Sequence, residues 1–200
     1  MVQRQQRNVM YGEIGTDSMR KEILFVHSAG PQGHHEGSDY LVRYLIDALG
    51  TGYRILLPNM PDPENPHYVD WKATLKKELA SMDDELILVG HSLGASVLLK
   101  YLSEEKLQQR IAGLFLIGAV YWGKKDWEVK GYVLKSNFSS KLPPIRRIFL
   151  YHSSDDEVVP ISHVRYFANE LPNATVREFE NRGHLFGRGL PELVEDIKRL

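Results

Sequence analysis

A serine in a turn framed by glycines is the residue best suited to chemistry in this chain. Ser92 lies in Gly90-His91-Ser92-Leu93-Gly94, after the apolar run Leu86–Val89 and before the amphipathic segment Ala95–Leu102. These flanks favour a buried strand and a helix, and the glycines permit a turn too tight for side chains. The turn would present the hydroxyl at the N-terminus of the helix, where free N–H groups stabilise an oxyanion. The motif and its setting predict that Ser92 is a nucleophile.

A serine hydroxyl is a weak nucleophile that needs an adjacent general base. When the serine follows a strand in this way, the acid and then the histidine come later in the chain. His184 follows the last predicted strand and is therefore the predicted base. Five other histidines do not follow that strand, and we interpret them as surface loop residues: His34, His35, His67, His152 and His163. Adjacent histidines without partners at a defined spacing are weak evidence for a metal site, so none is predicted.

The predicted acid is one of two neighbouring aspartates, Asp155 and Asp156, in the loop after the apolar run Ile148–Tyr151. Only the aspartate that faces His184 can hold the imidazole in the required tautomer. We favour Asp156, because an aspartate followed by a short apolar run and Pro160 is typical of this arrangement. Asp155 would then be a solvated loop residue or a helix cap.

Two backbone donors are expected to form the oxyanion hole. One is the N–H of Leu93, the residue after the nucleophile, and the other comes from the loop after an early strand. In that loop Ala29 is the predicted donor and Ser28 the neighbouring alternative, whereas Pro31 has no N–H. We assign Ser28, His91 and Trp122 to the substrate pocket. Four aromatic residues either line an acyl pocket or pack in the core: Trp122, Trp127, Tyr132 and Phe138.

The elements that must position these residues alternate along the chain. The predicted strands are Ile23–Val26, Tyr53–Leu57, Leu86–Val89, Leu114–Ile117, Ile148–Tyr151 and Thr175–Phe179. The predicted helices are Asp39–Leu49, Trp71–Ser81, Gly94–Leu102, Ile161–Leu171 and Pro191–Leu200. Apolar strands separated by helices indicate an α/β fold, with a mainly parallel sheet of about six strands covered by helices on both faces. We expect one domain over residues 22–200.

Two stretches lack a clear pattern. Residues 1–21 are predicted to be an N-terminal arm or one short edge strand at Met10 to Ile14. Tyr121 to Pro144 mixes aromatic residues with lysines and glycines. That composition suits a loop or a small cap beside the site, so little or no cap domain is expected.

Composition excludes several classes of function. The chain of 200 residues has 25 basic and 26 acidic residues, a balance that argues against a surface for nucleic acid or anionic membranes. It has no cysteine, which excludes disulfides, a cysteine metal site and a cysteine nucleophile. The longest apolar run, Ile111 to Val120, is too short to span a bilayer, and residues 1–15 show no apolar signal segment. We therefore expect a cytoplasmic protein.

With these motifs in place, the chain resembles an α/β-hydrolase, and more narrowly the small serine hydrolases of the retinoblastoma-binding protein 9 and YdeN type. The resemblance covers roughly residues 22–200. Five segments carry it: Val26-His27-Ser28-Ala29, Leu57-Pro58-Asn59-Met60-Pro61 with Trp71 downstream, Gly90-His91-Ser92-Leu93-Gly94, Asp156-Glu157-Val158-Val159-Pro160 and Gly183-His184. Many larger relatives have His-Gly where this chain has His27-Ser28. The retinoblastoma-binding motif needs a cysteine, so that binding role is not expected here.

The resemblance implies a serine hydrolase that cleaves carboxylic esters, with small acyl groups, through an acyl-enzyme and without a cofactor. Ser92, Asp156 and His184 would form its catalytic triad, and its partner would be a small-molecule ester. Thioester, amide or lactone cleavage, or acyl transfer, would use the same residues. The alternative is a catalytically idle protein-binding module on the same fold.

Overall fold

The computed structural model describes residues 20–124 and 127–200, which form one sheet with its covering helices. The strands are β1 (Lys21–Val26), β2 (Tyr53–Leu56), β3 (Glu85–His91), β4 (Arg110–Ile117), β5 (Ile148–Ser153) and β6 (Thr175–Phe179). The α-helices are α1 (Asp39–Leu49), α2 (Tyr68–Leu79), α3 (Leu93–Glu104), α4 (Ser162–Glu170) and α5 (Pro191–Lys198). Short 3₁₀ turns lie at Gly50–Gly52, Lys130–Tyr132 and Ser139–Lys141.

The six strands are all parallel and lie in the order β2-β1-β3-β4-β5-β6. Both the parallel sheet and the number of strands were predicted, and the α/β architecture is confirmed. Because the strands run in one direction, their carboxyl ends meet at one edge of the sheet. The loops after β1, β3, β5 and β6 all leave from that edge, so the topology brings the predicted site residues together.

Helices cover both faces of the sheet, as the apolar strands required. On one face α2, α3 and α4 bury Trp71, Leu98 and Phe167 against the sheet. On the other face α1 and α5 bury Leu45 and Leu193. A strand buried on both sides reads as continuously apolar, and β3 is buried from its second residue onward.

Strand β6 departs from that expectation because it lies at the edge of the sheet and pairs only with β5. Its residues are exposed or half-buried. The mixed sequence Thr175-Val176-Arg177-Glu178-Phe179 fits such an edge, where charged side chains discourage pairing with other chains.

Two element boundaries differ clearly from the sequence predictions. Helix α2 begins at Tyr68 rather than Trp71, because Tyr68 continues the buried stripe formed by Trp71, Leu75 and Leu79. Strand β4 begins at Arg110, four residues before the predicted start. Its small residues gave no clear pattern, but β4 pairs with β3 from Arg110 to Ile117, with one register shift at which Ala112 has no partner in β3.

The segment predicted to be a loop or small cap holds no α-helix among residues 121–124 and 127–144. Tyr132 and Phe138 are buried and belong to the core, which decides between the two interpretations offered for them. The Tyr132 hydroxyl donates to the Pro66 carbonyl at 2.6 Å and ties this segment to the proline-rich loop.

The N-terminal stretch is only partly described. Residues 1–19, which include the edge strand predicted at Met10 to Ile14, lie outside the described residues. Lys21, assigned to the arm, is the first residue of β1. No helix in the described part of the chain is long and apolar enough to cross a bilayer.

Candidate active site

The turn that carries Ser92 has an unusual backbone conformation, and the glycines on either side leave room for it. Ser92 has φ +53° and ψ −117°, in the left-handed region that side chains rarely adopt. A Cβ on Gly90 would lie 2.5 Å from the Cα of Ala95, and one on Gly94 would lie 2.2 Å from the Val26 carbonyl oxygen. Both positions therefore need glycine, which confirms the reason given from sequence for this motif. Such strain is common at functional sites.

Ser92, His184 and Asp156 form one hydrogen-bonded chain. His184 Nε2 lies 2.9 Å from Ser92 Oγ, and His184 Nδ1 lies 2.8 Å from Asp156 Oδ2. Because the carboxylate can only accept, Nδ1 carries the proton and Nε2 is free to accept from the serine hydroxyl. The Asp156 side chain is 0 % exposed and that of His184 is 5 % exposed. The contact is thus shielded from water.

The carboxylate of Asp156 is held by several donors at once. Oδ1 accepts the N–H groups of Val158 at 2.9 Å and Val159 at 2.7 Å. Burial on its own would raise the pKa of Asp156, but hydrogen bonds from His152 and His184 and the N–H of Val159 outweigh it. They hold the pKa of Asp156 well below its usual range, so the side chain stays ionised.

Asp155 bonds to the backbone before His184 and has a different role from the one predicted. It is exposed, but it is not simply solvated and it caps no helix. Its Oδ1 accepts the N–H groups of Arg182 and Gly183, both at 3.1 Å, and the Ser153 hydroxyl. Asp155 therefore holds the backbone that leads into His184.

The hydrogen bonds near Ser92 show which backbone N–H groups are left to form an oxyanion hole. The N–H of Ser28 donates to Ser38 Oγ at 2.9 Å, and that of Gly30 donates to the Pro63 carbonyl at 2.7 Å. Among the described residues, none accepts from the N–H of Ala29. Leu93 is the first residue of α3, where an N–H has no partner within the helix. Ala29 and Leu93 thus keep free donors, whereas Ser28 does not.

A buried relay joins the loop after β1 to the loop of His184. Ser38 Oγ lies 2.8 Å from His91 Nδ1, and His91 Nε2 lies 2.9 Å from the His184 carbonyl oxygen. Burial, with the nearby His184, lowers the pKa of His91 to about 3, so the ring is neutral. Since a carbonyl only accepts, its one proton is on Nε2 and Nδ1 accepts from the Ser38 hydroxyl. That hydroxyl oxygen in turn accepts from Ser28.

The assignment of His91 to the substrate pocket is wrong, because the side chain is 0 % exposed beneath the elbow. The assignment of Trp122 to the substrate pocket is not supported either. It stacks on Tyr132 with ring centroids 5.0 Å apart and meets Trp127 edge-on. Aromatic packing against the core explains it better than contact with a substrate.

The cavity beside the nucleophile has a volume of about 400 Å³. Its lining consists of Ser28, Ala29, Pro31, Glu36, Gly37, Ser92, Val158, His184 and Leu185. Ser28 and Ala29 were predicted to belong to the site. The other lining residues outside the triad were missed, since they lie farther along the loop after β1 or in the loops after β5 and β6 and carry no motif. Val158 and Leu185 remain 49 % and 38 % exposed, which places apolar side chains at the rim.

Sequence reasoning also misjudged two histidines. His152 and His163 are 0 % and 3 % exposed, not surface loop residues. His163 Nδ1 accepts the N–H of Tyr121 at 2.9 Å. His152 continues the apolar strand β5 and stands four residues before Asp156, a spacing that could have indicated burial beside the acid.

In the described ranges, no group of three or more His, Asp or Glu side chains is placed to share a metal ion. The functional groups that the site does bring together are the Ser92 hydroxyl, the His184 imidazole and the Asp156 carboxylate. These side chains, with unpaired N–H groups nearby, can perform nucleophilic acyl transfer.

Comparison with known families decides the class. The profile described as serine hydrolase matches residues 44–188, which is more than half of the chain. The chain belongs to the serine hydrolase family. This serine hydrolase is 23% identical to a hydrolase by name, YdeN of Bacillus subtilis (strain 168), over 83% of the chain and 86% of YdeN. It is 26% identical to the serine hydrolase RBBP9 of Rattus norvegicus, over 74% of the chain and 78% of that protein.

Solved structures agree on the fold of this serine hydrolase. The crystal structure of the YdeN gene product of B. subtilis superposes with a TM-score of 0.68 at 21% identity, covering 90% of this chain and 97% of YdeN. The meta-cleavage product hydrolase CumD of Pseudomonas fluorescens IP01 gives a TM-score of 0.69 at 15% identity, covering 96% and 93%. The predicted resemblance is confirmed at the level of family and fold.

Proposed function

We propose that this serine hydrolase cleaves small carboxylic esters through an acyl-enzyme on Ser92. The observation that carries the proposal is the chain of contacts Ser92–His184–Asp156, with distances of 2.9 and 2.8 Å. These are ordinary hydrogen-bond lengths, and they supply a nucleophile, a base and a group that orients the base. Neither the substrate class nor the role of each residue follows from membership of the family, since one fold hosts many activities.

In the first half-reaction Ser92 Oγ attacks the acyl carbon while His184 Nε2 removes its proton. The tetrahedral oxyanion accepts the N–H groups of Leu93 and Ala29. Asp156 stays ionised and stabilises the imidazolium. The C–O bond of the ester then breaks, the alcohol takes the proton from His184, and the acyl group remains on Ser92.

In the second half-reaction water replaces the alcohol. His184 removes a proton from the water, which attacks the acyl carbon, and the same donors hold the second oxyanion. The bond to Ser92 Oγ breaks, Oγ recovers the proton from His184, and the carboxylic acid leaves. No cofactor is needed to balance either step.

The dimensions of the cavity support small acyl groups. A volume of about 400 Å³ lies near the lower end of the usual range for small-molecule sites. Apolar side chains of Pro31, Val158 and Leu185 line it beside Ser92. We expect short acyl chains to be hydrolysed faster than long ones.

Two measurements test the proposal. Wild type should react with a fluorophosphonate probe at Ser92, and Ser92→Ala should not. A series of p-nitrophenyl esters and matched thioesters of increasing acyl length should then give the highest kcat/KM with a short ester. Failure to label Ser92 would favour the idle binding module, and faster thioester cleavage would reassign the substrate class.

A further inference from the structure

A second histidine lies beside the acid of the proposed triad, near the same carboxylate oxygen that meets His184. His152 is the fifth residue of β5, and its side chain is 1 % exposed. Its Nε2 lies 2.8 Å from the Val159 carbonyl oxygen and 3.3 Å from Asp156 Oδ2, the oxygen that also meets His184. The catalytic steps written above do not use this residue.

Both partners of His152 Nε2 are acceptors, which fixes the tautomer. A carbonyl cannot donate and Asp156 is ionised, so the ring proton is on Nε2. His152 Nδ1 is buried, and no described residue is its hydrogen-bond partner. The gap beside the ring is apolar, with Leu116, Val164 and Phe167 around it. In this apolar gap, an unpartnered lone pair on Nδ1 costs less free energy than an unpartnered charged N–H group would. The ring therefore donates from Nε2 alone.

Two groups hold the turn that carries the acid, the ring of His152 and the carboxylate of Asp156 itself. Within that turn the N–H groups of Val158 and Val159 hold Asp156 Oδ1. His152 holds the carbonyl of the same Val159 from the rigid strand β5. The turn is therefore fixed both by its own carboxylate and by the strand, and the ring edge of His152 limits rotation of Oδ2 away from His184.

We propose that His152 is a positioning residue, which sets the orientation of the Asp156 carboxylate and through it the ring of His184. This inference rests on the proposed function, because an orientation of the acid affects turnover only if Asp156 and His184 act in the reaction. Misplacement of catalytic groups by about 1 Å costs up to ~100-fold in rate. A partly loosened carboxylate should cost on the order of tenfold.

The experiment compares three substitutions at His152. His152→Leu removes the donor and His152→Asn is too short to reach Val159, whereas the amide of His152→Gln can take the place of Nε2. With a short p-nitrophenyl ester, kcat should fall about tenfold in the first two and recover most of that loss in His152→Gln, with KM within about twofold of wild type in all three. The Asn and Gln pair keeps the test decisive should the Leu variant fail to fold.

His163→Leu is the matched control, since it also removes a buried histidine that has one backbone partner. His163 meets Tyr121 rather than the acid. It should lower the melting temperature comparably while kcat stays near the wild-type value. Equal losses of kcat at both positions, or no advantage of Gln over Asn, would overturn the proposal, because kcat would then follow stability alone.

A readout without turnover separates this inference from the proposed function. The downfield proton resonance of His184 Nδ1–H reports its hydrogen bond to Asp156. It should shift in His152→Asn and return toward the wild-type position in His152→Gln. An unmoved resonance would overturn the positioning role even in an active enzyme. A wild type that does not react at Ser92 would overturn the proposed function, while the resonance would still decide whether His152 orients the pair.

Discussion

At the scale of single residues, the elbow depends on close backbone approach more than on the serine itself. Ser92 is held at φ +53°, and Gly94 lets α3 begin directly against the end of β1. Residues held in such rare conformations cost about 1–3 kcal/mol each and persist because their surroundings leave no alternative. The loop after β1, which carries Ala29, lies on the other side of this contact.

Gly94→Ala should therefore destabilise the protein, although alanine is the better helix former. Its Cβ would lie 2.2 and 2.5 Å from the carbonyl oxygens of Val26 and His27, which cannot move without displacing β1. We expect a loss of about 3 kcal/mol in the free energy of unfolding, measured by urea denaturation. Gly131→Ala is the control, since its Cβ would meet nothing within 4 Å. Equal effects would contradict the steric account.

The two neighbouring aspartates should respond very differently to loss of charge. Asp156→Asn can no longer fix the His184 tautomer, and kcat should fall on the order of 10³–10⁴-fold. In Asp155→Asn the side-chain oxygen can still accept the N–H groups of Arg182 and Gly183, so most activity should remain. Steady-state kinetics with one short ester ranks the pair, and the opposite ranking would refute the assignment.

At the same scale, the sequence was most informative where chemistry imposes an order along the chain. Ser92, Asp156 and His184 follow that order, so they could be proposed without coordinates. Ser38 could not, because its role lies in a contact with a distant segment, and the one local signal for His152, its spacing to Asp156, was overlooked. The Ser38 contact with His91 joins residues 53 positions apart, and no local pattern indicates it.

At the scale of elements, the start of α1, the elbow after β3 and the loop after β6 are joined by one buried relay. Ser28 donates to Ser38, Ser38 donates to His91, and His91 donates to the carbonyl of His184, so Ser38 and His91 each make two hydrogen bonds in it. Buried groups that lose a partner pay their full desolvation cost. The relay therefore fixes the position of the loop after β1 relative to His184, because its hydrogen bonds connect separate helices and strands.

Ser38→Ala removes the centre of this relay. It leaves the Ser28 N–H and His91 Nδ1 without a partner, so the free energy of unfolding should fall by about 1–3 kcal/mol. The rate of Ser92 labelling by a fluorophosphonate should fall as well, because Ala29 loses its fixed position. Ser81→Ala removes a hydroxyl that donates to the Glu78 carbonyl in an exposed hydrogen bond, and it should change neither. Unchanged labelling in Ser38→Ala would mean that the loop holds itself in place.

The elements themselves were predictable because their periods are strong. Strand β6 and helix α1 have the predicted bounds, Thr175–Phe179 and Asp39–Leu49. The early start of β4 was missed because the small residues Ala112 and Gly113 carry little pattern, and this part of the strand is set by the pairing of Arg110, Ile111 and Gly113 with β3. Tertiary pairing overrode local propensity at that point.

At the scale of the whole molecule, buried histidines make stability depend on pH. Burial lowers the pKa of His91 to about 3 and that of His163 to about 4 from the ordinary value of 6.5. Below pH ~6.5 the unfolded chain binds protons that the folded chain does not. Stability is therefore complete above that pH and is lost as pH falls toward the folded-state values.

Lowering the pH from about 7 to about 5 should cost about 2 kcal/mol through His91 alone. Urea unfolding at the two pH values measures the total loss. His163→Asn keeps an acceptor for the Tyr121 N–H but cannot titrate, so its loss between the two values should be smaller than that of wild type. An identical loss would show that His163 does not contribute.

The distance along the chain between the reacting groups has a consequence for how the protein becomes active. Ser92 and His184 are 92 positions apart, and His184 follows the last strand, β6, so we expect it to enter the site once β6 has joined the sheet. Contacts between distant segments form late in folding, because the chain must lose the entropy of a long loop before such a contact can stabilise it. A fluorophosphonate added at intervals during refolding should therefore label only molecules whose sheet is complete. The labelled fraction would then measure the rate of the final step of folding.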